Sequence, residues 1–142
     1  MIELQAGARY RGDSRTITDA EIALLPAMMG AINPLFHDDL AARANPAGRR
    51  ILYGPALLGI VIAGTEHLLR SRVLGLVSVT DLRFRHPVGC GDTVTPTLTI
   101  RQVISKPEKA GDLLLTHDEA HNQDGTLVLD FVRAIMVRRS TS

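Results

Sequence analysis

The chain has 142 residues, 45% hydrophobic and 22% charged, with 16 Lys and Arg against 15 Asp and Glu and a formal net charge of +1. That is one domain's worth of chain, and its near-neutral balance excludes a chain-wide attraction to nucleic acid or anionic membranes. The single cysteine, Cys90, excludes an internal disulfide framework and a paired-cysteine metal knuckle, and fits a reducing, cytoplasmic setting.

Met1 to Gln5 lack a basic segment followed by an apolar one, so no secretory leader is expected. Thr18-Asp19-Ala20-Glu21 has the form of a capping box, with Thr18 covering free amides and Glu21 reaching back. The spacing predicts a helix to about Met29, burying Ile22, Leu25 and Met29, with Gly30 as its stop. Asn33-Pro34 marks a turn. Asp38 to Arg43 reads as a short helix, and Asn45 to Gly48 as a loop. Pro55 suits the first turn of a helix running from Gly54 to about Arg70. Its first ten residues are apolar on every side, which predicts burial, yet Pro55 to Gly64 is too short to span a bilayer.

From Val73 onward the pattern becomes strand-like. The apolar phase of Val77 to Arg85 switches between Val79 and Leu82, which predicts a bulge. His86 to Asp92 is a turn. Val94 to Arg101 alternates as a half-buried strand, with Pro96 pointing to a place near an edge. Leu113 to Ala120 and Leu127 to Val137 form a hairpin closed by Asn122-Gln123-Asp124-Gly125. The class is α+β: an antiparallel sheet wrapped around one long helix in a single domain covering residues 1–142. With 4% aromatics and no Trp, its core must come from Leu, Val, Ile and Ala. One helix on one sheet leaves helix surface uncovered, so a dimer is expected.

Four segments in order resemble the MaoC-like dehydratases, the (R)-specific enoyl-CoA hydratases of the hot-dog fold. Thr16 to Ile22 resembles the opening helix, and Gly30-Ala31-Ile32-Asn33-Pro34-Leu35-Phe36-His37 resembles the active-site loop G-D-x-N-P-L-H. Ile51 to Leu58 resembles I-A-H-G-M-L, and Arg83 to Val88 with Gly91-Asp92-Thr93 resembles V-R-F-L-R-P-V-x-x-G-D-T. The resemblance implies reversible hydration of a trans-2-enoyl thioester of coenzyme A or acyl carrier protein. It also implies a homodimer, or a heteromer with another hot-dog chain, and neither cofactor nor metal.

Such hydration needs a base for water, an acid for the α-carbon and donors for the enolate-like oxygen. The family uses an Asp, a His five residues later, and a backbone amide at the central helix. Aligned without gaps on Asn33-Pro34, Ala31 stands in the Asp place and Phe36 in the His place. An insertion after Leu35 would return His37 to that place, and the sequence leaves both alignments open. The candidate catalytic residues are therefore His37 and Asp38, with the Gly54 amide as oxyanion donor; Asp38 and Asp39 equally suit a helix start. Asn33, Phe36, Tyr53, Arg49 and Arg50 are the candidate substrate-binding residues, the arginines for phosphate. His117 and His121 share a strand face without further metal-ligand spacing. Three functions fit: a hydratase with an altered site, a non-catalytic subunit of a heteromeric dehydratase, and a thioesterase using Glu66 or Asp38.

Overall fold

A computed structural model describes residues 2–139. The first strand, β1 (Arg9–Arg11), and a two-residue β2 (Arg15–Thr16) precede helix α1 (Asp19–Met28). Two four-residue helices, α2 (Pro34–His37) and α3 (Asp39–Ala42), lead to the central helix α4 (Gly54–Ala63). A short α5 (Glu66–Leu69) and a single 3-10 turn (Arg70–Arg72) enter four long strands: β3 (Val73–Phe84), β4 (Thr93–Ile104), β5 (Gly111–His121) and β6 (Leu127–Arg138). The strands form one antiparallel sheet in the order β1-β4-β5-β6-β3, with β2 also on β4.

Helix α1 starts as expected. The Thr18 hydroxyl accepts from the Glu21 amide at 3.3 Å, and the Glu21 carboxylate accepts from the Thr18 amide at 2.7 Å. Its buried face differs: Ile22 and Pro26 are buried, Leu25 is half-buried, and Met29 is 55% exposed as the C-cap. The short strands β1 and β2 were not expected, because segments of three and two residues carry no readable alternation. They also explain Pro96. Pro96 lies inside β4 rather than near an edge, and its carbonyl accepts from Gly12 in the break between β1 and β2. Its missing N–H faces that break, where no ladder bond is lost.

The central helix is shorter than the sequence suggests. It ends at Ala63 with Gly64 as C-cap, and the Thr65 hydroxyl donates to the Ile62 carbonyl at 2.9 Å. Arg70, at φ 48°, turns the chain into β3. The buried face of α4 is Ala56, Leu57 and Val61, packed with Ile17, Ile22, Leu129 and Phe131. The bulge in β3 is present: Asp81 sits at φ 54° and the register shifts between Thr80 and Arg83. The β5–β6 turn closes on Asn122, whose side-chain oxygen accepts from the Asp124 and Thr126 amides at 3.0 Å each.

Strand β3 pairs only with β6 among the described residues, so its other edge is open. Leu74, Leu76 and Val77 are 39%, 55% and 57% exposed there. No helix of the described residues is long and apolar enough to cross a membrane.

Candidate functional site

The loop after α1 is shaped by Asn33, whose side-chain oxygen accepts from the Leu35 amide at 3.0 Å, and by Pro34 at the first position of α2. A proline with a fixed φ and an Asx cap together make one helical turn where the sequence suggested only a bend. That turn decides which side chain faces inward. Phe36 is 9% exposed and meets Tyr53 edge-on, with ring centroids 5.3 Å apart at 67°. His37, one residue on, is exposed at the end of the turn. Phe36 thus packs inward beside the start of the central helix while His37 lies exposed, with Ala31 half-buried upstream.

Asp38 is exposed and serves as a cap. Its Oδ1 accepts from the Leu40 amide at 2.9 Å and from the Ala41 amide at 3.1 Å, which starts α3. Glu66 opens α5, beyond the far end of α4 from Gly54.

At the head of α4, Tyr53 has no side-chain cap bond, and its carbonyl accepts from the Ala56 and Leu57 amides at 3.0 Å each. Pro55 has no N–H. Among the described residues, none accepts a hydrogen bond from the Gly54 amide. The Phe84 ring lies over this point: a Cβ on Gly54 would lie 3.0 Å from it, so a larger residue would push the ring aside. Phe84 is 51% exposed, at the end of the open strand β3. Three of the chain's five aromatic residues therefore surround one helix N-terminus. Sequence reading matched Phe84 within its motif but gave it no place at the site.

An apolar groove of about 270 Å³ runs from Pro55 along the exposed side of α4, walled by Leu25 and Met29. It shares Arg15, Ile60 and Ala63 with a second hollow of about 250 Å³ that reaches Gly64 and Pro96. Arg15 at this wall is paired with Glu21.

Both candidate phosphate-binding arginines are ion-paired. Arg50 bonds Asp39 through Nε and Asp19 through Nη2, at 2.6 Å each, joining the loop to α1 and α3. The hydrogen bond to Asp39 does most to raise its pKa; burial opposes this, and the charges of Asp19 and Asp39 with the Asp19 hydrogen bond add to the rise. Arg49 donates to Asp92 at 2.8 Å and lies against Gly89, where a Cβ would come within 2.6 Å of its guanidinium carbon. Arg49 nonetheless keeps 48% of its side chain exposed and, with His86, lines a hollow of about 330 Å³.

Asp92 holds this corner together, accepting from the Gly89 amide at 2.9 Å and from Gln123 at 2.9 Å besides Arg49. Burial opposes its ionisation, but the Gly89 amide, Gln123 and Arg49 outweigh it and hold the carboxyl below its ordinary 3.8. A carboxyl depressed on folding stabilises the fold above the unfolded value and loses that contribution as pH falls through the folded one. Asp92→Asn is therefore expected to cost about 1–3 kcal/mol at neutral pH. It should also flatten the loss of stability below pH 3.8, read by urea melts across acid pH. An unchanged acid limb would refute this assignment.

The profile of the MaoC-like domain matches residues 3–120. Protein MaoC of Klebsiella aerogenes is 26% identical over 110 residues, 78% of this chain. The chain spans 33% of that relative's length. The unliganded R-hydratase PhaJ1 of Pseudomonas aeruginosa superposes with a TM-score of 0.75 at 23% identity, covering 96% of this chain and 83% of that one. The ChsH1-ChsH2 complex of Mycobacterium tuberculosis superposes with a TM-score of 0.79 at 17% identity, covering 94% and 98%. The fold is the hot-dog fold.

Proposed function

The chain belongs to the MaoC-like domain family, and on that premise we propose that it is the thioester-binding, non-hydrating member of a hot-dog pair. One observation carries the reading. Phe36 packs against Tyr53 where the family resemblance expects the catalytic His, and Ala31 stands in the Asp place. Neither side chain transfers a proton. Binding elements remain: the Gly54 amide for the thioester carbonyl, the apolar groove along α4 for the acyl chain, and exposed Arg49 for an anionic part of the carrier. Asn33, which caps α2, and the Phe36–Tyr53 pair beside the head of α4 are proposed to contact the thioester. His37 and Asp38 are weaker acid–base candidates, since His37 is exposed at the end of α2 and Asp38 caps α3. Glu66 is a poor thioesterase base for this cleft, because a ten-residue helix of about 15 Å separates it from Gly54. A second hot-dog chain, identical or not, would cover β3 and, in a heteromer, supply the acid–base pair.

The test is the purified chain with trans-2-enoyl-CoAs of graded length. Saturable binding without loss of the enoyl absorbance is expected, and without thiol release. Hydration by the chain alone, at rates near a competent control, would overturn the reading; thiol release would replace it with a thioesterase.

The partner surface is tested separately. Lysine on an open strand edge opposes pairing. Val77→Lys is expected to reduce the native mass to that of one chain with the melting temperature little changed. Retention of the wild-type mass would place the partner elsewhere.

A further inference from the structure

The core contains one ionic cluster that the cleft does not use. Arg133 on β6 and Asp118 on β5 have side chains 1% and 0% exposed, and Arg133 Nη2 donates to Asp118 Oδ2 at 2.5 Å. The same nitrogen donates to the Thr65 hydroxyl at 2.9 Å, and Thr116 donates to the other Asp118 oxygen at 2.5 Å. Arg133 Nε is buried with no partner. The cluster lies between two apolar groups, one around Leu57, Val61 and Phe131, the other around Leu69, Leu98 and Ile135.

A buried ion pair adds little net stability compared with apolar residues of the same volume. Its geometry gives it another use. Thr65 follows Gly64, the C-cap of α4, and its hydroxyl also donates to Ile62 in the last turn of that helix. One arginine thus joins the end of α4 to the two central strands, and a cation there suits the negative end of the helix dipole. The face that α4 lays on the sheet is Ala56, Leu57 and Val61, and its outer side is Pro55, Gly59 and Ala63. A ten-residue helix moves as one rod, so a slip at Thr65 appears at Gly54.

We propose that Arg133 is a positioning residue: by fixing Thr65 to β5 and β6 it sets the axial position of α4 and hence of the Gly54 amide. The proposal rests on the reading of Gly54 as the donor to the thioester carbonyl.

Two variants test it. Thr65→Val removes the link to the helix and leaves the ion pair intact. Asp118→Leu with Arg133→Met removes the cluster while filling its volume. With hexanoyl-CoA as probe, each is expected to bind about tenfold more weakly, because misplacement of a donor by a fraction of an ångström is costly. In each, the ¹⁵N-resolved Gly54 amide signal should shift or broaden while the double variant keeps a melting temperature at or above that of the wild type. Wild-type affinity with an unmoved Gly54 signal in either folded variant would overturn the proposal. Should the wild-type chain itself not bind hexanoyl-CoA, thioester binding fails as a function. The Gly54 signal alone then decides whether Arg133 positions the helix.

Discussion

Replacing Ala31 by Asp and Phe36 by His together is expected to give the chain an enoyl-thioester hydratase activity that neither single replacement gives. The fold already has an uncommitted Gly54 amide and an apolar groove; on the function proposed above, what is missing is a pair of groups able to take and give a proton. Each properly placed acid or base contributes roughly 10²–10⁴ in rate, and members of such a pair act as a unit rather than additively. Ala31→Asp alone leaves a base without its acid, and Phe36→His alone the reverse. The replacement at Phe36 also removes its edge-on packing against Tyr53, at a cost of about 1–3 kcal/mol. The double variant must therefore be compared under conditions where it is folded. Loss of enoyl absorbance at a rate at least a hundredfold above wild type is the expected result. A folded double variant that binds the thioester and hydrates nothing would mean that the cleft lacks more than its acid and base.

What the sequence made legible is local and periodic. Thr18 and Glu21 announce a helix start because their bonds close within four residues. Asn122 announces a turn for the same reason, and the phase switch at Val79–Leu82 announces a bulge because the strand period is two. The helix α4 is shorter than the sequence suggests because Gly64 and Thr65 break it before helix resumes as α5 at Glu66. At the site, which of Phe36 and His37 packs inward is set by one helical turn begun by Asn33 and Pro34, a feature too short to have a pattern. Arg49 and Arg50 looked like phosphate ligands because their partners, Asp92, Asp19 and Asp39, lie 43, 31 and 11 residues away in the chain. The Arg133 cluster left a trace in Thr116 and Asp118, polar residues on the inward face of β5, but only the sheet shows that one arginine meets both the acid and Thr65.

Arg133→Met alone is expected to destabilise the chain by about 3–5 kcal/mol, while the same change combined with Asp118→Leu should be neutral or stabilising by about 1–4 kcal/mol. The asymmetry arises because removing one partner leaves Asp118 charged and fully buried, whereas removing both leaves no buried charge, only the Thr116 hydroxyl without its acceptor. The two cases also differ in their response to pH. Burial pushes the Asp118 carboxyl above its ordinary 3.8, although Arg133 and Thr116 hold it down. A carboxyl raised on folding binds its proton more tightly in the folded chain, so stability falls as pH rises from the unfolded to the folded value. Without Arg133 the main opposing effect is gone and the folded value rises further. The single variant should therefore recover part of its loss on mild acidification, in the direction opposite to Asp92, whose contribution is lost as pH falls. Urea melts of both variants at neutral and mildly acid pH measure this. A single-variant cost below about 1 kcal/mol, or no recovery in acid, would mean that Asp118 finds water or another donor once Arg133 is removed.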